Sequence, residues 1–175
     1  METTNTAILK IMNVLFWIAF IGLCIKAGAI LTSFVISLYV NPAAAHNLYL
    51  GLNLSDLFAL NSLYYGSIVS LLIVLTALKA HIAYMIVRFF MKFKLSQPFD
   101  AALTTLFLRI SHVALGTGTL AIIASGYAKW IMKKGVSIPI DWGGNEILFF
   151  AGVIYLLALV FKKGTDLQTE HDLTV

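Results

Sequence analysis

The chain has 175 residues, 60% of them hydrophobic and 11% charged, with a mean hydropathy of +0.91 and a formal charge of +4. That balance lies outside the range of soluble globular domains and predicts an integral membrane protein. Cations flanking membrane spans account for the positive excess, so no nucleic-acid partner is implied. The single Cys24 excludes an internal disulfide and any C-x-x-C zinc or redox pair, which leaves the redox compartment open.

Crossing a bilayer core takes about 20 apolar residues in a helix. Four stretches qualify, at about 11–38, 64–92, 102–128 and 146–162. They predict an all-α fold, a four-helix bundle embedded in the membrane. The first stretch is followed by "NPAAAH", an A-x-A-like cleavage signal. It is nevertheless too long for a leader's apolar region and contains Lys26, so an uncleaved span is expected. No lipidation motif is present at either end.

Lys26 is the anomaly of the first span. A charge facing hydrocarbon costs at least ~2.5 kcal/mol on the mildest insertion scale. Within two helical turns on the same face lie small residues, Gly22, Ala29 and Ser33. Lys26 is therefore expected to point inward along that stripe, held by carbonyls, water or an outer carboxylate such as Asp56, in a polar cavity that accepts an anionic headgroup. An outer loop from about 41 to 58 follows. In "NLSDLFALNSLYYGS", Ser55 as N-cap with Asp56 in the first turn predicts that the second helix starts early and projects beyond the membrane. That helix carries Ser70, Ala77, Lys79, His81, Tyr84 and Arg88, most of them along one face.

Pro98 ends the second helix and Asp100 caps the third, so "QPFD" predicts a tight turn between antiparallel helices. The third span presents Thr105, Arg109, His112, Gly116, Thr119 and Gly126 as a small and polar stripe. Such stripes turn toward neighbouring helices rather than lipid. His81 and His112 come out at matched depth, ~16–18 Å from the boundary nearest the turn. That spacing suits axial ligation of a haem between helices. It also suits a metal site or a proton relay, but two histidines without further ligands favour the plainer reading, imidazoles that only hydrogen-bond adjacent helices. Lys79 and Arg109 are expected to snorkel or to pair internally. Apart from Asp56, the carboxylates near enough to neutralise a buried cation are Asp141 and Glu146, so the excess of cation favours an anionic guest such as a lipid headgroup, or a lysine kept neutral by a lowered pKa.

"KKGVSIPIDWGGNE" reads as a short exposed loop with Trp142 at the interface. Lys162 and Lys163 then stop the fourth helix, with Gly164 as C-cap, and residues 164–175 form a polar tail. Its Asp166, Leu167, Glu170, Asp172 and Leu173 are candidates for docking a partner. Lys10, Arg88, Lys92, Lys94, Lys162 and Lys163 fall on one side of the bundle against Lys129, Lys133 and Lys134 on the other, which places both termini in the cytoplasm. No H-E-x-x-H, G-x-S-x-G or phosphate loop occurs, and the glycines of "GTGTL" lie inside a span, where they serve packing. A non-enzymatic role is expected.

The tail "VFKKGTDLQTEHDLTV" and the "QPFD" turn followed by a helix bearing Arg109 resemble a bacterial family of small four-span membrane proteins, domain of unknown function 2975. The resemblance implies a four-helix inner-membrane protein without an assigned activity. It also implies a regulatory partner, because genes of such families often neighbour a small helix-turn-helix regulator.

Overall fold

The computed structural model describes residues 2–93 and 101–173, with side chains from Ala7 to Leu167. Its elements are α1 (Glu2–Tyr39), a 3-10 turn (Pro42–His46), α2 (Ser55–Leu60), α3 (Ser62–Lys92), α4 (Ala101–Met132) and α5 (Gly144–Leu173). Among the described residues the fold is all-helical, and α1, α3, α4 and α5 are each long and apolar enough to cross a membrane. This is the expected all-α bundle of a multi-pass membrane protein. The "QPFD" turn, with Lys94, Pro98 and Asp100, lies outside the described residues.

Aromatic pairs fix the register of the antiparallel helices. Phe16 stacks on Phe90, Phe20 meets Tyr84 and Phe34 meets Tyr65, which zips α1 onto α3. Phe89 meets Phe107 between α3 and α4, and Phe107 meets Phe161 between α4 and α5. The helices thus neighbour one another in the order α1, α3, α4, α5, and among the described residues α1 and α5 make no contact. Most of α1 faces outward, with Ile11, Ile18, Ile21, Ile25 and Leu31 exposed, as a lipid-facing helix requires.

Small residues permit the closest approaches. A Cβ on Gly118 would stand 2.7 Å from Leu148 Cδ2, and one on Gly144 would stand 3.1 Å from the backbone nitrogen of Ile122. Glycine at both places lets α4 and α5 come together at backbone distance. Two apolar clusters result. Ile82, Met85, Ile110, Ala114 and Ala151 join α3, α4 and α5 toward the end of the bundle that carries the termini. The larger cluster gathers Ile30, Leu48, Leu54, Leu57, Tyr65, Ile68, Ile131, Ile138 and Trp142 at the opposite end, where the chain's two long connections fold back onto the helices.

Three local expectations are corrected. The extended second helix is broken: Asn61 caps α3 by accepting from the amides of Leu63 and Tyr64, so the stretch that Ser55 opens is a separate six-residue helix, and Ser55 makes no cap bond. An asparagine able to accept two helical N–H groups outcompetes continuation of the helix. The connection 133–143 is exposed only in part: Lys133, Lys134, Gly135, Ser137, Pro139 and Asp141 are exposed, but Ile138 and Trp142 are buried in the larger cluster. Finally, α5 does not stop at Lys162 and Lys163. It runs through Gly164 to Leu173, with Thr165 hydrogen-bonded to the Phe161 carbonyl and to Thr104 on α4. A glycine ends a helix only where the chain turns left-handed, and Gly164 stays in the helix.

Candidate functional site

The connection between α4 and α5 builds the site. After Met132 the chain turns at Gly135 (φ +90°) and then descends beside α4 until Gly144 lies against Ile122. Met132 is ~15 Å further along α4 than Ile122 at about 1.5 Å per residue. The segment 136–143 therefore folds back along the bundle, and α5 begins well below the end of α4. Bonds rather than packing alone hold its lower end. Lys79 Nζ donates to the Trp142 carbonyl at 3.1 Å, and the Gly143 amide donates to Asp141 Oδ1 at 3.0 Å. Gly143 takes φ +63°, and a Cβ there would lie 3.5 Å from the Lys79 ammonium, so glycine fits both the left-handed backbone and the close cation.

The connection between α1 and α3 dips in parallel. Asn47 Oδ1 accepts from the Gly51 amide, Leu48 donates to the Leu52 carbonyl, and Leu50 and Gly51 both take positive φ to make the reversal. Leu50 is 86% exposed at the tip.

Between the two descending segments and the helices lies a recess of about 440 Å³, lined by Lys26 from α1, Tyr49 and Leu52 from the first connection, Leu72 from α3, and Ile140 and Asp141 from the second. Ile140 and Asp141 also wall a second recess of about 370 Å³ that contains Lys129 and Glu146. Lys26 is half-buried, and its ammonium lies 6.0 Å from the centre of the Tyr49 ring. The charges of Lys26, Asp141 and Glu146 all act on Lys79. Yet Lys26, Lys79, Asp141 and Glu146 form no ion pair within 4.0 Å. Two cations and two anions thus share one neighbourhood without neutralising each other in contact pairs.

The expected site residues divide. Lys26 and Lys79 are brought together, and Asp141 and Glu146 are the nearby acids. Asp56 is not: it lines a different recess, with His46 and Phe58, because the separate α2 carries it away. His81 and His112 do not face each other. His81 is exposed in a groove between α1 and α3 with Phe20, Cys24 and Tyr84, whereas His112 is exposed beside Tyr155 of α5, 6.3 Å ring to ring. One haem cannot take both as axial ligands in this arrangement, and among the described residues no group of three or more His, Cys, Asp or Glu could hold a metal. The stripes through these residues also lie outward: Ser70, Ala77, His81, Tyr84 and Arg88 on α3, and Thr105, Arg109, His112, Gly116, Thr119 and Gly126 on α4, are exposed. Their sequence neighbours Ile110, Ser111, Ala114, Thr117 and Gly118 take the inward positions, and buried Ser111 satisfies itself on the Ala151 carbonyl at 3.1 Å.

In the tail, Asp166 and Leu167 are exposed on the continuing helix, while the side chains of Glu170, Asp172 and Leu173 lie outside the described residues. Sequence reading missed Tyr49, which faces Lys26 from the first connection, and the role of Trp142. The usable signal was the alternation Ile138, Ile140, Trp142, which marks an extended segment with a buried face. Comparison with protein-family models, curated proteins and solved structures found no match to this chain.

Proposed function

We propose that the protein is a non-enzymatic, regulatory interaction protein of a bacterial inner membrane. In this reading the recess around Lys26 contacts membrane lipid at the periplasmic side and the C-terminal part of α5 meets a cytoplasmic partner. The carrying observation is the continuity of α5, which is one helix from Gly144 at the recess to Leu173 beyond the lysine pair. At about 1.5 Å per residue it measures ~44 Å, so whatever shifts its start is transmitted to its end. Lys79, held on the Trp142 carbonyl just before that start, is the element through which the recess acts on the helix. The Lys and Arg asymmetry supports cytoplasmic termini, and the tail's resemblance to domain of unknown function 2975 supports a regulatory partner.

The test places a photo-crosslinking residue at Leu167 in cells. One cytoplasmic protein should be captured, and Asp166→Lys in the same chain should abolish the adduct. If capture is unaffected by Asp166→Lys and by truncation after Leu167, the arm is not a docking segment.

A further inference from the structure

The simplest guest for a lysine at membrane depth is an anion, but this recess also carries an acid. Asp141 lines the same cavity as Lys26, and Glu146 stands close enough to act on Lys79. An anion drawn to Lys26 would meet the Asp141 carboxylate across the cavity. A cation drawn to Asp141 would meet Lys26. The arrangement instead matches a molecule that carries both charges, held apart by a short linker. Contact pairing between Lys26 and Asp141 would have erased the feature, and the two do not pair.

We propose that the recess binds the zwitterionic headgroup of an aminophospholipid, with the phosphodiester on Lys26 and the primary ammonium on Asp141. The half-buried Lys26 has donors free for phosphate oxygens. Asp141 Oδ1 already accepts from the Gly143 amide, which aims the carboxylate and leaves its other oxygen for an N–H donor. A primary ammonium offers such donors and a trimethylammonium offers none, so phosphatidylethanolamine fits and phosphatidylcholine does not. The cavity, about 440 Å³, falls within the size range of small-molecule sites. A lipid rather than a free solute is indicated by the setting. Exposed Ile25 and Leu31 flank Lys26 on α1, and among the described residues α1 and α5 do not meet, so acyl chains have an apolar path away from the headgroup.

The inference rests on the lipid-contacting part of the reading above and is independent of the cytoplasmic arm, so its failure leaves the docking test standing. The full chain is placed in nanodiscs containing equal parts of phosphatidylethanolamine, phosphatidylglycerol and phosphatidylcholine, released into detergent, and its retained lipids are weighed by native mass spectrometry. Phosphatidylethanolamine should be enriched roughly tenfold over the other two, a difference of about 1.4 kcal/mol. Asp141→Asn should remove its preference over phosphatidylglycerol, and Lys26→Met should lose retention of all three. Lys26→Arg, which keeps the cation, should restore retention and shows that loss in Lys26→Met is not misfolding. Asp56→Asn, in the separate recess, should change nothing. Phosphatidylglycerol retained as well as phosphatidylethanolamine, or an unchanged preference in Asp141→Asn, overturns the assignment. Displacement of the lipid by millimolar glycerophosphoethanolamine overturns its lipid source.

Discussion

Gly116 and Gly118 stand in the same stretch, "GTGTL", and the structure assigns them opposite consequences when alanine replaces them. A Cβ at Gly116 meets nothing within 4 Å. One at Gly118 would fall 2.7 Å from Leu148 Cδ2, 2.8 Å from Cγ and 3.1 Å from the Leu148 backbone nitrogen. Rotating the Leu148 side chain relieves the first two contacts, but the third yields only if α5 moves. Alanine is favoured over glycine within a helix by about 0.5–1 kcal/mol, and this gain is common to both positions. Overpacking at 118 then costs ~1–3 kcal/mol against it. Gly116→Ala should therefore be neutral or stabilising, and Gly118→Ala should lie about 1–3 kcal/mol below it. Reversible unfolding in mixed micelles with increasing dodecyl sulfate, followed by far-UV circular dichroism, measures the difference. Equal midpoints, or Gly116→Ala as the weaker variant, would refute the backbone-contact packing of α4 and α5.

Tyr65→Phe should cost about 1 kcal/mol by the same assay, because Ser37 Oγ already serves the Phe34 carbonyl at 2.7 Å and its 2.6 Å bond to the Tyr65 hydroxyl is lost. Lys79→Met should release the Trp142 carbonyl, raising amide hydrogen exchange across 138–146 while the middle of α4 keeps its protection; unchanged exchange would mean that packing alone holds the segment. Haem added to the purified protein should give no spectrum of two imidazole ligands, since His81 and His112 lie against different helices. Such a spectrum, lost in both His81→Ala and His112→Ala, would contradict the fold.

The spans were legible because hydrophobic length is a property of each segment by itself: α3 begins and ends near where composition changes, α4 begins and α1 ends there, whereas α1 starts at Glu2, before its apolar run. The rotation of each helix was not. The stripe through Arg109 and His112 and the stripe through Ile110, Ser111, Ala114 and Thr117 differ by one residue step, and "GTGTL" allows both. Which one faces inward is decided by Leu148 and Ala151 on a helix distant in sequence. Lys26 could be singled out from its surroundings, but its neighbours could not. Asp56 and Asp141 are equivalent as outer acids until Asn61 breaks one helix and the burial of Ile138 and Trp142 draws the other segment down. The end of α5 was misread for a related reason: Gly164 and a lysine pair are permissive stop signals, and the Thr104–Thr165 contact with α4 overrides them.

The most direct measurement is an electron-microscopy structure of the chain in phosphatidylethanolamine nanodiscs. It should show residues 136–143 descending until Gly144 meets Ile122, with headgroup density between Lys26 and Asp141. A connection lying flat across the end of α4, with Lys26 facing acyl chains and no density beside Asp141, would contradict the account.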